Sequence, residues 1–378
     1  MGQTQPNVVG VTLCGPQDVF VSNGEVFVCD SDNHRVRKLL RNGQFVTICG
    51  KGVGGYNGDD KSATEAYLKH PIAVVVSSSN QVYISEYYGN RIRKIGTNGI
   101  ISTIAGTGAR GYNGDDGLAT SNKLYAPHGL FVTDEEEVLI ADCYNHCIRK
   151  VNQNGIITTI AGRFEKYEGG FNGDNQLANS ARLNSPTDVF KYKNEIYICD
   201  CYNHRIRKID TNGMIITIAG TGERGYNGDG ILATIANLNF PRSVFIHNDQ
   251  IYISDSQNNR IRKILPNGII KTIAGNGLCG YNGDEQLAIH AKLCSPTGIF
   301  VDTDSQVYIA DRDNHIIRKV DSNGMIRTVL GSGRKLGYSG DVLFDFEKYP
   351  HIGPQKKKQL DSLHFSKAYC DLEMFCEK

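Results

Sequence analysis

Over residues 186–231 the chain reads PTDVFKYKNEIYICDCYNHRIRKIDTNGMIITIAGTGERGYNGDGI. PTDVFKY is a short apolar-leaning run, EIYICD and HRIRKID alternate apolar with polar positions, and MIITIAG is β-branched almost throughout. Alternation with a period of two puts successive side chains on opposite faces of a strand, and β-branched and aromatic residues suit that pleated surface. Lys-Asn, Cys-Tyr-Asn and Thr-Asn-Gly separate the runs and have turn composition. The stretch predicts four short strands joined in one antiparallel meander.

The pattern recurs. Six copies of the turn and third strand begin at Asn33, Gly89, Asn145, Asn203, Asn258 and Asn314, spaced 56, 56, 58, 55 and 56 residues apart. A fixed period of this size marks stacked or circular repeats. Six meanders in tandem predict an all-β, six-bladed β-propeller of four-stranded antiparallel blades over residues 1–341. The blades fall at about 16–50, 71–106, 127–162, 186–220, 241–275 and 296–331. The match of VTLCGP (11–16) to AKLCSP (291–296) cuts the circle inside a connection, so each blade is made of contiguous strands, with Val8-Val9 a candidate closing strand. Residues 342–378 leave the repeat; Leu360, Leu363, Tyr369, Leu372 and Phe375 have helix-like spacing, predicting a short C-terminal tail.

Comparing the copies exposes local demands. The turn residue is Asn in five copies and Gly89 in the sixth, which predicts a left-handed residue there. The acid three residues earlier (Asp30, Glu86, Asp142, Asp200, Asp255, Asp311) is placed to accept that turn's amides. The Arg-Lys pair of the third strand suits packing between blades, with its heads on the repeated acids; a phosphate-binding surface is the sharper alternative. Each connection carries GYNGD, GFNGD or GYSGD followed in most copies by alanines. This predicts a short helix N-capped at or near Asp59, Asp115, Asp174, Asp229, Asp284 and Asp341, with the Tyr or Phe packed beneath it. The same loop is a fragment of a calcium loop without its remaining ligands.

D-x-x-N-H-R-I-R-K after an Ile-Tyr-Ile strand resembles the NHL-repeat β-propellers, and the GYNGD loop resembles a tandem NHL type. The likeness covers about residues 11–341; the third letter is Arg, Cys or Ile here, and Asn90 and Asn259 replace the histidine. The resemblance implies the propeller fold and several unlike functions: RNA binding on a basic face, protein binding or sensing, or a zinc-dependent amidating lyase. Fold alone does not choose among them.

Positions that differ between repeats are the natural place for function. In a meander blade the first strand is innermost, so the residues after each loop proline ring the channel mouth. They include Gln17, Asp18, His128, Thr187, Asp188, Arg242 and Thr297. A zinc lyase needs about three imidazoles, and this ring offers His128, with His70 beside it; no G-x-S-x-G elbow occurs. The D-x-x-N turns of three consecutive repeats carry Tyr87, Tyr88, Tyr144 and Tyr202, and a neighbouring loop adds Phe164 and Tyr167. Tyrosine is enriched at binding hot spots. Cys143-x-x-His146 and Cys201-x-x-His204 have ligand-like spacing, but adjacent blades hold equivalent points too far apart for one metal.

Charge and cysteine usage narrow the field. Forty-one basic against 40 acidic residues leave a net charge of +1, so no overall basic field draws in nucleic acid. No apolar run has the length of a membrane span, and MGQTQPNVVG is neither a leader nor, with Pro6, a myristoylation signal. The 11 cysteines are sparse. Cys29 and Cys199 stand where other repeats have Ser or Ala, which points to buried small side chains rather than bridges. The sequence therefore predicts a cytoplasmic, monomeric binding or scaffold module engaging a protein or peptide on its loop-rich face, with no cofactor and no metal. A propeller enzyme, a metal-assisted lyase or hydrolase at the channel mouth, and an RNA-binding module are the alternatives.

Overall fold

The alternating runs form strands that pair in chain order. In the fourth repeat they are Pro186–Tyr192, Glu195–Asp200, Arg205–Ile209 and Met214–Ala219, all antiparallel. The structure, a computed structural model, describes residues 11–165 and 168–332; the tail, Val8-Val9, Tyr167 and Asp341 lie outside them. Six such sheets span 16–49, 71–105, 127–161, 186–219, 241–274 and 296–330 and are numbered blades 1 to 6. Their first strands stand side by side in ring order, and that of blade 6 meets that of blade 1. The result is a six-bladed β-propeller.

Among the described residues, five blades gain a strand that the repeat pattern does not announce. Lys61–Ser62, Gly117–Leu118, Gln176–Leu177, Ile231–Leu232 and Gln286–Leu287 pair with the outermost strand of the blade they lead into. Each connection passes that outer edge on its way inward, and two residues suffice to occupy some of the edge's open N–H and C=O groups.

One apolar cluster fills each gap between neighbours. Blades 4 and 5, for instance, enclose Ile206, Leu238, Val244, Ile253 and Ile270, and blades 6 and 1 enclose Leu13, Val28, Leu39, Ile317 and Leu330. The core is thus a ring of six interfaces, because a sheet with two apolar faces has to cover both.

The repeated polar residues do different work from what their positions predict. The left-handed residue is not the turn Asn but the one after it: His34, Asn90, His146, His204, Asn259 and His315 have φ of 49° to 57°. The turn Asn keeps its side chain for bonding, Asn203 Nδ2 donating to Asp200 at 2.8 Å and to the Gly170 carbonyl at 2.6 Å. The repeated acid accepts the side-chain amide of that Asn in five blades and, among the described residues, no backbone N–H of the turn. It accepts the N–H two residues before the loop proline instead, as Asp200 does from Asn184 at 2.7 Å and Glu86 from Lys69 at 2.8 Å.

The loop Asp is not an N-cap either. The helix after it is one 3-10 turn such as Ala63–Glu65, with no side-chain cap. Asp59 instead pairs with Arg93 at 2.8 Å and accepts from Thr103. The loop aromatic packs on arginine rather than under a helix: Tyr56 lies 3.8 Å from the Arg91 guanidinium and Tyr226 3.8 Å from that of Arg260. A buried guanidinium needs counter-charge more than a single helical turn needs a cap. A bridge does occur at one place among the described residues. Cys279 and Cys294 form a disulfide, where three other connections carry a single β-bridge, such as Arg224 with Leu238. Cys29 and Cys199 are free and buried.

Candidate functional site

The loop face is built on two rows of links between blades. In the first, the residue after the turn Asn reaches the next blade. His34 Nδ1 accepts the His70 N–H at 3.2 Å, His146 that of Ser185 at 3.0 Å, and His204 that of Phe240 at 3.2 Å. Asn90 Oδ1 does the same for Ala126 and Asn259 Oδ1 for Ser295, both at 2.9 Å. His315 closes the circle onto Gly15 at 3.0 Å. His and Asn interchange because each presents an acceptor at the same reach. An accepting Nδ1 requires a neutral ring, and burial holds His146 down at about 4 and lowers His34 and His204.

The second row is ionic. Arg93, Arg149, Arg207, Arg262 and Arg318 are fully buried. Each lies between the turn acid of its own blade and the Asp of the loop leading in: Arg207 is 3.3 Å from Asp200 and 2.8 Å from Asp174. The lysines beside them are also engaged, Lys208 with Glu195 at 2.6 Å and Lys150 with Glu137 at 3.0 Å. The Arg-Lys repeat is therefore largely spent on the scaffold.

The non-repeating residues gather at the axis. Gln17, Asp18, His128, Thr187, Asp188, Arg242 and Thr297 line one cavity of about 30 Å³. That is room for about two water molecules, not a substrate. Gln17 and His128 are at most 7% exposed, yet Gln17 Oε1 and His128 Nε2 have no hydrogen-bond partner among the described residues. Burial, with Arg242 nearby, holds His128 neutral with its pKa down at about 3, and its hydrogen bond to the Thr187 backbone places the ring's one N–H on Nδ1, which leaves Nε2 as the acceptor.

Deeper along the same strands lies a feature that the sequence analysis missed. Phe20, Phe131, Phe190, Phe245 and Phe300 sit four residues after the loop proline, with Val75 in the sixth place. Consecutive rings are 4.7–5.0 Å apart between centroids. They form a collar around the axis on the side of the cavity away from the loop face. The signal was a phenylalanine recurring at one position in five copies.

Beside the axial mouth the aromatic residues of blades 2 and 3 form one patch. Tyr87 and Tyr144 share a hydroxyl hydrogen bond of 2.9 Å, and Tyr87 meets Tyr88 edge-on at 4.9 Å. Two residues not chosen from sequence extend the patch: His70, 5.1 Å from Tyr88, and Tyr125, 5.1 Å from Tyr144. His128 joins it to the cavity, 6.2 Å from Tyr87. Tyr202 belongs elsewhere, against Phe240 at 4.9 Å, and Phe164 stacks on Tyr112 in the connections at 4.2 Å. His70 and Phe240 occupy the same place, immediately before the loop proline, where a left-handed backbone is used.

Comparison with known proteins agrees with the repeat chemistry. The NHL repeat model matches residues 13–39 and 124–151, and the teneurin NHL domain model matches residues 277–339. The chain carries NHL repeats within its six-bladed β-propeller. It is 28% identical over 317 residues to the chloroplastic protein SUPPRESSOR OF QUENCHING 1 of Arabidopsis thaliana, covering 80% of this chain and 29% of that one. It is 26% identical over 340 residues to mouse (Mus musculus) teneurin-4, covering 80% of this chain and 12% of the relative. Human (Homo sapiens) NHL repeat-containing protein 2 is 24% identical over 283 residues, covering 66% and 39%. The chain therefore spans well under two thirds of these relatives. Among solved structures, a streptogramin B lyase superposes with a TM-score of 0.52 at 14% identity, covering 86% and 85%. An auxiliary nutrient binding protein from Bacteroides thetaiotaomicron gives 0.59 at 15%, covering 84% and 70%. At these identities the likeness is one of fold.

Proposed function

We propose that this propeller is a non-catalytic binding module that takes a protein or peptide segment across the loop face, on the patch around Tyr87, Tyr88 and Tyr144. The observation that carries the reading is the contiguity of this patch with the axial mouth, in a surface whose repeated polar groups are otherwise committed to the scaffold. Half-buried tyrosines held edge-on by their neighbours are preorganised, so little side-chain entropy is lost on contact. The phosphate-surface alternative is weakened because five of the repeated arginines, Arg93, Arg149, Arg207, Arg262 and Arg318, are buried against two acids each. The enzyme alternative is weakened because the axial cavity holds about two waters.

Tyr88→Ala with Tyr144→Ala, in protein whose melting profile matches wild type, should weaken a bound partner by roughly thirtyfold or more, the scale of one hot-spot residue. Affinity purification followed by titration of the identified partner measures this. Unchanged affinity would remove the patch as the site.

A further inference from the structure

Asp18 and Asp188 occupy the second position after the loop proline in blades 1 and 4, on opposite sides of the ring. Each fastens three blades. Asp18 Oδ2 accepts the Val74 N–H of blade 2 at 2.9 Å, while its Oδ1 fills the space that a Cβ on Gly298 of blade 6 would enter. Asp188 repeats the arrangement. Its Oδ2 accepts the Val244 N–H of blade 5 at 3.0 Å, and its Oδ1 accepts the Val189 N–H at 2.9 Å and sits where a Cβ on Gly129 of blade 3 would lie. The aspartates require the glycines opposite them. Together they divide the ring into blades 6–1–2 and blades 3–4–5. The first group contains the junction where the first and last blades of the chain meet.

These carboxyls have backbone partners but no ion pair among the described residues, unlike the acids of the turns. What faces them is poor in counter-charge. Asp18 has Asp188 across the axis and Cys29 on the paired strand, and Asp188 has Cys199 on its own paired strand. His128, Arg242, Ser243 and Gln17 share the axial cavity with both. That cavity also holds two acceptors that find no donor among the described residues, Gln17 Oε1 and His128 Nε2. Two carboxylic acid protons, directly or through water, match two orphaned acceptors. A carboxyl taken from water without a cation favours its neutral form.

We propose that Asp18 and Asp188 are proton-binding sites of the ring, carboxylic acids in the closed propeller in mildly acidic solution, and that loss of the Asp18 proton loosens the junction of blades 6 and 1. Burial pushes Asp18 up to about 8, helped by the charge of Asp188 and opposed by the Val74 and Val19 amides. Burial likewise pushes Asp188 up to about 7, against the Val244 amide and Ser243. The folded state then holds protons that the unfolded chain has released. Stability from these sites is full below the ordinary carboxylate range, falls progressively above it, and the last of it is lost as pH rises through 7 to 8.

The test compares wild type with Asp18→Asn and Asp188→Asn by urea unfolding at two pH values either side of that window. On going from the lower to the higher, wild type should lose roughly tenfold or more in its folded-to-unfolded ratio, and each variant should lose clearly less. Infrared difference spectra of wild type minus Asp18→Asn at the lower pH should show a protonated carboxyl band. Hydrogen exchange in Pro296–Val301 and Pro16–Ser22, corrected for intrinsic rates, should rise at the higher pH in wild type more than in Pro127–Val132. If Asp18→Asn does not fold, the wild-type spectra at the two pH values and Asp188→Asn decide the question. Parallel pH dependence in all three proteins, absence of the acid band, or exchange rising equally in the three strands would each overturn the proposal.

Discussion

Blade 2 departs from the other five at one coupled pair of positions, and exchanging that pair tests the turn chemistry directly. In those five an aspartate accepts the turn Asn side chain at 2.8–3.0 Å. Blade 2 has Glu86 and Gly89 instead, and a Cβ on residue 89 would lie 2.6 Å from Glu86 Oε2 and 2.7 Å from its Cβ. The extra methylene of Glu86 occupies the volume of the missing Asn side chain. It also carries Oε1 to 2.8 Å from Arg93, against 3.3–3.9 Å for the equivalent pairs in blades 3 to 6.

Gly89→Asn alone overpacks this site and should cost about 1–3 kcal/mol. Glu86→Asp alone loses a charge-assisted bond of about 1.5–3 kcal/mol and leaves a methylene-sized void of about 1 kcal/mol. The double variant rebuilds the pair of the other repeats and should return to within about 1 kcal/mol of wild type, a coupling of about 2 kcal/mol or more. Urea midpoints of the four proteins, at constant m-value, measure it. Additive losses in the double variant would refute the reasoning that Glu and Asn share one volume.

Two further outcomes follow from the same scaffold. Arg207→Met strands Asp200, a carboxyl with no exposed surface, and should cost about 3–5 kcal/mol in urea unfolding; adding Asp200→Asn should recover much of it, and a neutral single variant would contradict the ionic row. Reducing the Cys279–Cys294 bond, which joins residues 15 apart, should lower stability by up to about 3 kcal/mol. The change should appear as faster hydrogen exchange in 276–294, and unaltered exchange there would mean that the loop is held by its other contacts.

Much of the architecture was legible because blades repeat. The period of the turn before the third strand counts the sheets, and alternation places the strands within each. Exchange between copies was a weaker guide. Asn alternating with Gly89 looked like a backbone requirement, but the cause is Glu86 three residues earlier, whose side chain fills the space beside residue 89, and a comparison of single columns does not reveal that. The His-to-Asn exchange at Asn90 and Asn259 hid a six-fold link, since the acceptor's partner lies in the following blade.

The site divides along the same line. The axial residues converge because first strands are innermost, and that follows from the meander alone. Whether convergence produces a pocket depends on side-chain volume, and the phenylalanine collar and the Asp–Gly fits leave space for little more than water. Tyr87, Tyr88 and Tyr144 share a patch since neighbouring turns are adjacent, whereas Tyr202 turns to Phe240 across the next interface. By itself the sequence determined the ring, the number of blades and the face on which the connections gather, since these rest on periodicities that each repeat carries locally. Which repeated groups face a neighbour, which carboxyls lose their counter-charge and which aromatics touch was decided only when six sheets closed on one another, because those quantities are set between blades rather than within them.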